Sequence, residues 1–251
     1  MSDSRTRDHM TENSDSVPAA KIVLASRSPR RRRLLGWLGM PFETTAVDTP
    51  EELDTPLASN PRALAASLAA EKAVAARADG HGSRGLVLCF DTIVVLDGRV
   101  LGKPWDVADA RRMLHALSGR MHQVVTGVAM MCPDDSRPRT LSVTTEVSMR
   151  VLDEAAIEEW MAMGTFLGCA GAYNIEAQVA DVAADECYQN VAGLPLCHVY
   201  AELACGDVRC LPGVPLVPVA ACDAALGRTC RLGPSLVRPC AGASPAPSST
   251  E

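Results

Sequence analysis

Two short stretches carry residue types that phosphate chemistry needs. The first is Ser26-Arg27-Ser28-Pro29-Arg30-Arg31-Arg32-Arg33, directly after an apolar run at 21–25. Serine before proline marks a helix start, because the hydroxyl caps free N–H groups and proline suits the first turn. Where a strand runs into a helix, backbone N–H groups and the positive end of the helix dipole gather. Serine hydroxyls and arginine forks beside them make a phosphate cradle. A run of arginines alone reads equally as a solvated basic turn. The second stretch is Asp91-Thr92, delivered by Leu-Val-Leu-Cys-Phe at 86–90. An acid at the end of a buried strand sits where α/β sheets place ligands. It can hold a divalent cation or take a proton from water, although alone it reads as a strand-end cap.

A third set is scattered: Glu51 in a polar loop, Lys72 on the helix after it, and Lys103 in Gly102-Lys103-Pro104. Each is ordinarily a surface residue. Together with Arg30, Arg31 and Asp91 they supply the opposing charges that a metal–triphosphate requires, but spacing does not show that they meet. The histidines point elsewhere. His122 falls in a strand pattern and reads as a core or surface histidine, and no zinc-protease, serine-hydrolase or Walker-type run is present.

The elements that must position these groups follow from apolar pattern and punctuation. A buried strand at 21–25 feeds a helix from Pro29, with Leu34, Leu35 and Leu38 on one face and Gly39 as its stop. A strand covers 42–47. Asn60-Pro61 opens a long Ala/Leu-rich helix to about Ala78. The strand at 86–90 continues beyond Asp91 to Leu96, and Asp97-Gly98 is a hairpin turn. Asp106 with Asp109 opens a helix that faces Met113, Leu114 and Leu117 inward and ends at Gly119. Strands follow at 121–131 and 140–151. Asp153 caps a helix at 154–163, residues 164–195 read as irregular with short strands, and a last helix spans 195–204. The organisation predicted is a polar leader (1–20), one α/β domain (21–204) and a Cys/Pro-rich tail (205–251).

Composition narrows the classes. Apolar residues make up 47% of 251, enough for a sizeable core. A formal charge of -6 argues against a general nucleic-acid binder. No apolar leader and no run of roughly 20 apolar residues is present, so the chain reads as cytoplasmic, with no membrane partner. Ten cysteines include five crowded at 205–240 without a C-x-x-C spacing, which reads as free thiols in a loose tail rather than as a metal or disulfide site.

With those residues in view, the chain resembles the Maf (septum formation) nucleotide pyrophosphatases. Leu24-Ala25-Ser26-Arg27-Ser28-Pro29-Arg30-Arg31 is similar to the family's opening motif. Ala70-Glu71-Lys72-Ala73, Asp91-Thr92-Ile93-Val94, Leu101-Gly102-Lys103-Pro104, Leu117-Ser118-Gly119-Arg120, Thr126-Gly127-Val128, Cys169-Ala170-Gly171-Ala172-Tyr173 and Val191-Ala192-Gly193-Leu194-Pro195-Leu196 follow in the family's order. The resemblance implies an α/β fold like that of inosine triphosphate pyrophosphatases, a mixed twisted sheet flanked by helices, with two lobes around a cleft. It implies a homodimer that hydrolyses a nucleoside triphosphate to a monophosphate and pyrophosphate with Mg²⁺ or Mn²⁺. It makes Asp91 the proton acceptor and a metal ligand with Glu51. It makes Arg30, Thr92 and Glu176 specificity positions, and has Ser26, Ser28, Arg31, Lys72 and Lys103 line the phosphate site. Thr92 matches the branch directed at dTTP and UTP, whereas Glu176 matches the branch directed at 7-methyl-GTP. The stretch 177–190 departs from the family's glycine-rich pattern, which keeps a non-catalytic nucleotide-binding regulator of cell division as a rival reading.

Overall fold

The computed structural model describes residues 21–206 and 208–238. The leader expected at 1–20 lies outside them. Seven strands make one mixed sheet: β1 (Ile22–Ala25), β2 (Phe42–Thr45), β3 (Leu86–Leu96), β4 (Arg99–Leu101), β5 (Met121–Met131), β6 (Arg139–Met149) and β7 (Ala180–Asp181). The order is β2-β1-β3-β5-β6-β7, with β4 also on β3. β1 runs parallel to β2 and β3, and the remaining pairings are antiparallel.

The long strand β3 decides where a site can form. β1 accompanies it only from Leu86 to Leu88, and β4 joins it only from Val94 onward. Asp91 and Thr92 therefore lie in mid-strand, at the stretch that neither neighbour on that edge covers. The sequence reading had Asp91 at a strand end; it is the neighbouring strand that ends. The other edge is closed throughout by β5, where Asp91 lies opposite Gly127. The crevice thus comes from partner exchange along one strand, the kind of place where open α/β sheets bind ligands.

Helices cover both faces. On one side, α2 (Pro61–Ala78) packs Leu64, Ala65, Leu68, Ala69, Ala73 and Ala76 onto β3 and β5. Small residues let it come close: a β-carbon on Gly127 would stand 1.9 Å from the Ala65 carbonyl oxygen. On the other side lie α1 (Pro29–Gly36), α3 (Val107–Leu117), α4 (Glu154–Ala162) and α6 (Leu196–Cys205), around a core that includes Phe90, Leu114, Trp160 and Leu196. The expected caps are in place. Ser28 accepts from Arg31 N, Asn60 from Ala63 N and Asp106 from Asp109 N. Asp97 and Gly98 both take positive φ in the hairpin between β3 and β4.

Two expectations need correction. Residues 164–195 hold one two-residue strand, β7, and the helix α5 (Tyr188–Val191), rather than several strands. Asn190 fixes this segment to the sheet: its side-chain amide donates to the carbonyls of Val124 and Val143 and to the Thr145 hydroxyl. The chain after 205 is not simply a loose, free-thiol tail. It carries α7 (Val219–Leu226) and α8 (Gly233–Leu236), Leu216 N donates to the Leu38 carbonyl, and Cys210 is disulfide-bonded to Cys132. Proline and glycine content read as disorder because the long-range partners that order this segment leave no local signal.

Candidate active site

One cavity of about 490 Å³ opens over the uncovered stretch of β3, a size suited to a small-molecule ligand. Ser26, Ser28, Arg30, Arg31, Glu51, Lys72, Asp91, Thr92 and Lys103 all line it. The acid of β3 and the arginine turn at the start of α1 therefore face one space, as the sequence reading required. Glu176 does not line it. Its carboxylate accepts from Arg33, a pair on the outer side of α1.

Asp91 is 4% exposed. Lys72 lies on α2, which the close contact at Gly127 holds against the sheet, and its ammonium reaches the Asp91 carboxylate. The same ammonium donates to Glu51 Oε1 at 2.9 Å, and Lys103 donates to that oxygen too. Burial pushes the Asp91 carboxyl above its ordinary range; Lys72 pulls it back in part, and Glu51 pushes further up. For Lys72, burial opposes the charge, but Asp91 and Glu51 outweigh it and hold the ammonium above its usual value. For Glu51, burial is likewise outweighed, here by Lys72 and Lys103, so its carboxyl lies below its usual value. The result is one acid with raised proton affinity beside one firmly ionised acid, the division of labour expected of a base and a charge anchor.

Arg31 is held as tightly. Its Nε donates to the Gly193 carbonyl at 2.8 Å and its Nη2 to Thr92 Oγ1 at 3.0 Å; Ser26 Oγ accepts from Nη1 at 3.4 Å. Thr92 Oγ1 is 2.9 Å from Thr126 Oγ1, which donates to the Asn190 carbonyl at 3.0 Å. Thr126 has spent its proton on Asn190, so Thr92 donates to Thr126 and keeps its lone pairs for Arg31. Thr92 thus orients a guanidinium as well as lining the cavity. Gly193 has φ +98, and a β-carbon there would stand 3.2 Å from Arg31 Nε. Burial lowers the proton affinity of Arg31. Arg30, beside it, lies 3.6 Å from Cys169 Sγ.

Sequence reasoning missed this support. Neither the Gly193 carbonyl nor the Thr126–Asn190 relay was expected, because backbone carbonyls carry no residue-type signal. His122, set aside as a core histidine, is buried, 2.7 Å from the Tyr173 hydroxyl. Burial lowers its proton affinity to about 4. None of residues 177–190, where the motif departs from the family, lines the cavity.

Comparison with known proteins gives the family. Residues 21–205 match the family described as Maf-like protein. The chain belongs to the Maf family. Among curated members, a dTTP/UTP pyrophosphatase of Geobacter metallireducens is 43% identical over 77% of this chain and 97% of its own length. One of Chlorobaculum parvum is 38% identical over 73% of this chain and 92% of its own. Among solved structures, the Staphylococcus aureus Ham1 protein has a TM-score of 0.36 at 16% identity, covering 51% of this chain and 71% of that one. That likeness is too slight to add to the family match.

Proposed function

We propose that this Maf-family chain hydrolyses a nucleoside triphosphate between its α and β phosphates, releasing a nucleoside monophosphate and pyrophosphate, with dTTP and UTP as substrates. One observation carries the reading: a buried acid of raised proton affinity, Asp91, shares a triphosphate-sized cavity with an oriented arginine and two lysines. The relatives described above are dTTP/UTP pyrophosphatases, which supports the pyrimidine choice. Glu176, the residue that matches the 7-methyl-GTP branch, pairs with Arg33 and does not line the cavity, which favours the pyrimidine reading.

Asp91 takes a proton from a water as that water attacks the α phosphorus. The new P–O bond forms as the bond to the β-phosphate oxygen breaks, and pyrophosphate leaves with the electron pair. Arg31, Lys72 and Lys103 offset charge on the phosphates, and the α1 N-terminus adds N–H donors. The residues present fit a hard divalent cation. Glu51 and Asp91 direct carboxylate oxygens toward one point, marked by the Lys72 ammonium, and one or two carboxylates with phosphate and water oxygens suit Mg²⁺ or Mn²⁺. When bound, the cation supplies charge neutralisation at the triphosphate. Lys72 then has a second use, as the placeholder that keeps two acids together without substrate.

The reading includes a cytoplasmic homodimer, which light scattering and fractionation check. Among the described residues no helix is long and apolar enough to cross a membrane. The deciding assay is pyrophosphate release from dTTP, UTP, CTP, GTP and 7-methyl-GTP with Mg²⁺ or Mn²⁺. Turnover of dTTP and UTP above the rest is expected; no release from any of the five would overturn the reading and favour a binding-only role.

A further inference from the structure

One charged pair on the cavity wall is used by none of the steps assigned to Asp91, Arg31 and the lysines. Arg27 stands between Ser26 and Ser28 in the turn after β1, and Asp48 follows β2. Both line the cavity, and their side chains pair. β1 and β2 are parallel neighbours with Ala25 beside Thr45, so the pair lies just beyond the carboxyl ends of two adjacent strands. It differs from the central cluster in exposure. The side chains of Arg27 and Asp48 are 66% and 85% exposed, against 13% and 5% for Lys72 and Asp91. An ion pair that open contributes little and exchanges its partner easily.

The sheet order tells which part of a nucleotide meets this pair. Along β2-β1-β3-β5, Asp91 of β3 lies between an apolar side and a charged one. Toward β5 the lining is Val94, Val124 opposite it, and Tyr173. Apolar and aromatic surface suits a base. Toward β1 and β2 the lining is Arg27, Asp48 and the serines of the α1 turn. With the α phosphorus at Asp91 and the base on the β5 side, the β and γ phosphates run toward the ends of β1 and β2. Charge points the same way. Five cations and three acids line the cavity, a positive surplus suited to a polyphosphate. Lys72, Lys103 and Arg31 are already tied to Asp91, Glu51, Gly193 and Thr92, whereas the partner of Arg27 is an exposed acid.

We propose that Arg27 binds the terminal phosphate of the triphosphate, and that Asp48 is the acid it leaves to do so. The inference rests on the nucleotide reading above and assigns one part of that substrate to one residue. Asp48 holds the guanidinium in place until substrate arrives. The planar fork of arginine then takes two phosphate oxygens, a stronger pairing than one with an exposed carboxylate. As the bond from the α phosphorus to the bridging oxygen breaks, negative charge gathers on the departing pyrophosphate, and Arg27 offsets it. Product release reverses the exchange, because Asp48 competes for the guanidinium. A purely mechanical role makes a different demand. Asp48 lies three residues before Glu51, so a pair that only pins this loop needs both of its members.

The test uses the full chain with Mg²⁺ or Mn²⁺, dTTP as substrate, and pyrophosphate and dTMP as inhibitors. Arg27→Gln should lower kcat/KM for dTTP about ten- to a hundred-fold and weaken inhibition by pyrophosphate by a similar factor. Inhibition by dTMP, which lacks both distal phosphates, should stay as it was. Arg27→Lys should recover part of the loss. Asp48→Asn frees the guanidinium, so it should lower KM and tighten pyrophosphate by a factor of about two to five, the worth of an exposed ion pair. A loss in Asp48→Asn equal to that in Arg27→Gln overturns the proposal in favour of loop pinning. Equal weakening of dTMP and pyrophosphate by Arg27→Gln overturns it also, since the base then lies at this end. Unchanged dTTP kinetics in Arg27→Gln, beside an active wild-type chain, sinks this inference alone. A wild-type chain that releases no pyrophosphate sinks the nucleotide reading itself.

Discussion

Two buried polar clusters lie within a few residues of each other along β3 and β5, and they are built on opposite rules. The inner one, formed by Thr126, Asn190, Thr145, His122 and Tyr173, contains no group that must be ionised. Asn190 Nδ2 and the Thr126 hydroxyl donate to carbonyls and a hydroxyl, His122 Nδ1 and Asn190 Oδ1 are buried without a hydrogen-bond partner, and burial keeps His122 neutral. The outer one, Asp91 with Lys72, Glu51 and Lys103, holds two acids and two cations at the edge of open space. A neutral, buried cluster contributes order, whereas a charged one at the edge of open space stores an electrostatic demand that a ligand completes. Substitutions should therefore cost stability in the first cluster and turnover in the second.

Asp91→Asn should separate the two most sharply. Pyrophosphate release should fall on the order of a thousand-fold or more, since the base is lost. The melting temperature should hold or rise, because a buried acid of raised proton affinity is removed. A variant that melts lower yet turns over normally would erase the contrast. Lys72→Met comes next, with a loss of about a hundred-fold and a telling pH dependence. Lys72 holds the Asp91 carboxyl down against burial, so its removal lets that carboxyl rise further. Asp91 acts when deprotonated, and the acid limb of kcat/KM should move to higher pH. A limb that stays put or moves down would show that another group titrates there.

Asn190→Ala should show the reverse bias. Three donor contacts are lost and buried carbonyls are left unmet, so urea unfolding should record a loss of about 2–4 kcal/mol. The turnover that remains should fall only modestly, through slackening of the Thr126–Thr92–Arg31 relay. The smallest effect belongs to Glu176→Gln. Its pair with Arg33 is solvent-exposed and outside the cavity, so stability should change by about 0–1 kcal/mol and the ranking of dTTP, UTP and 7-methyl-GTP should stay as it was. A reordered ranking would return Glu176 to the base site.

Much of the half that carries the candidate site was legible in residue order. Ser28-Pro29, Asn60-Pro61 and Asp97-Gly98 are local signals, set by capping and turn chemistry within a few residues, and each appears where expected. Asp91 was recognisable by its apolar delivery. What spacing did not reveal was convergence. Glu51, Lys72 and Lys103 meet only because β3 exchanges partners and α2 lies over it, and both are long-range facts. Glu176 shares a motif with Tyr173, which lines the cavity, while its own side chain pairs with Arg33 outside that lining. The reading of the late cysteines as free thiols failed at Cys210 for a related reason: its disulfide partner, Cys132, lies 78 residues away in sequence, and no local spacing announces such a pair.

The 1.9 Å clearance at Gly127 reaches beyond packing. A single added methyl group on β5 would raise α2 off the sheet, and with it the lysine that keeps two carboxylates from repelling each other. The interval between helix and strand works as a length gauge for the charge cluster, with a bare hydrogen atom as its spacer. Changes beneath α2, outside the cavity, would thus mistune the reaction while leaving every reacting group in the chain.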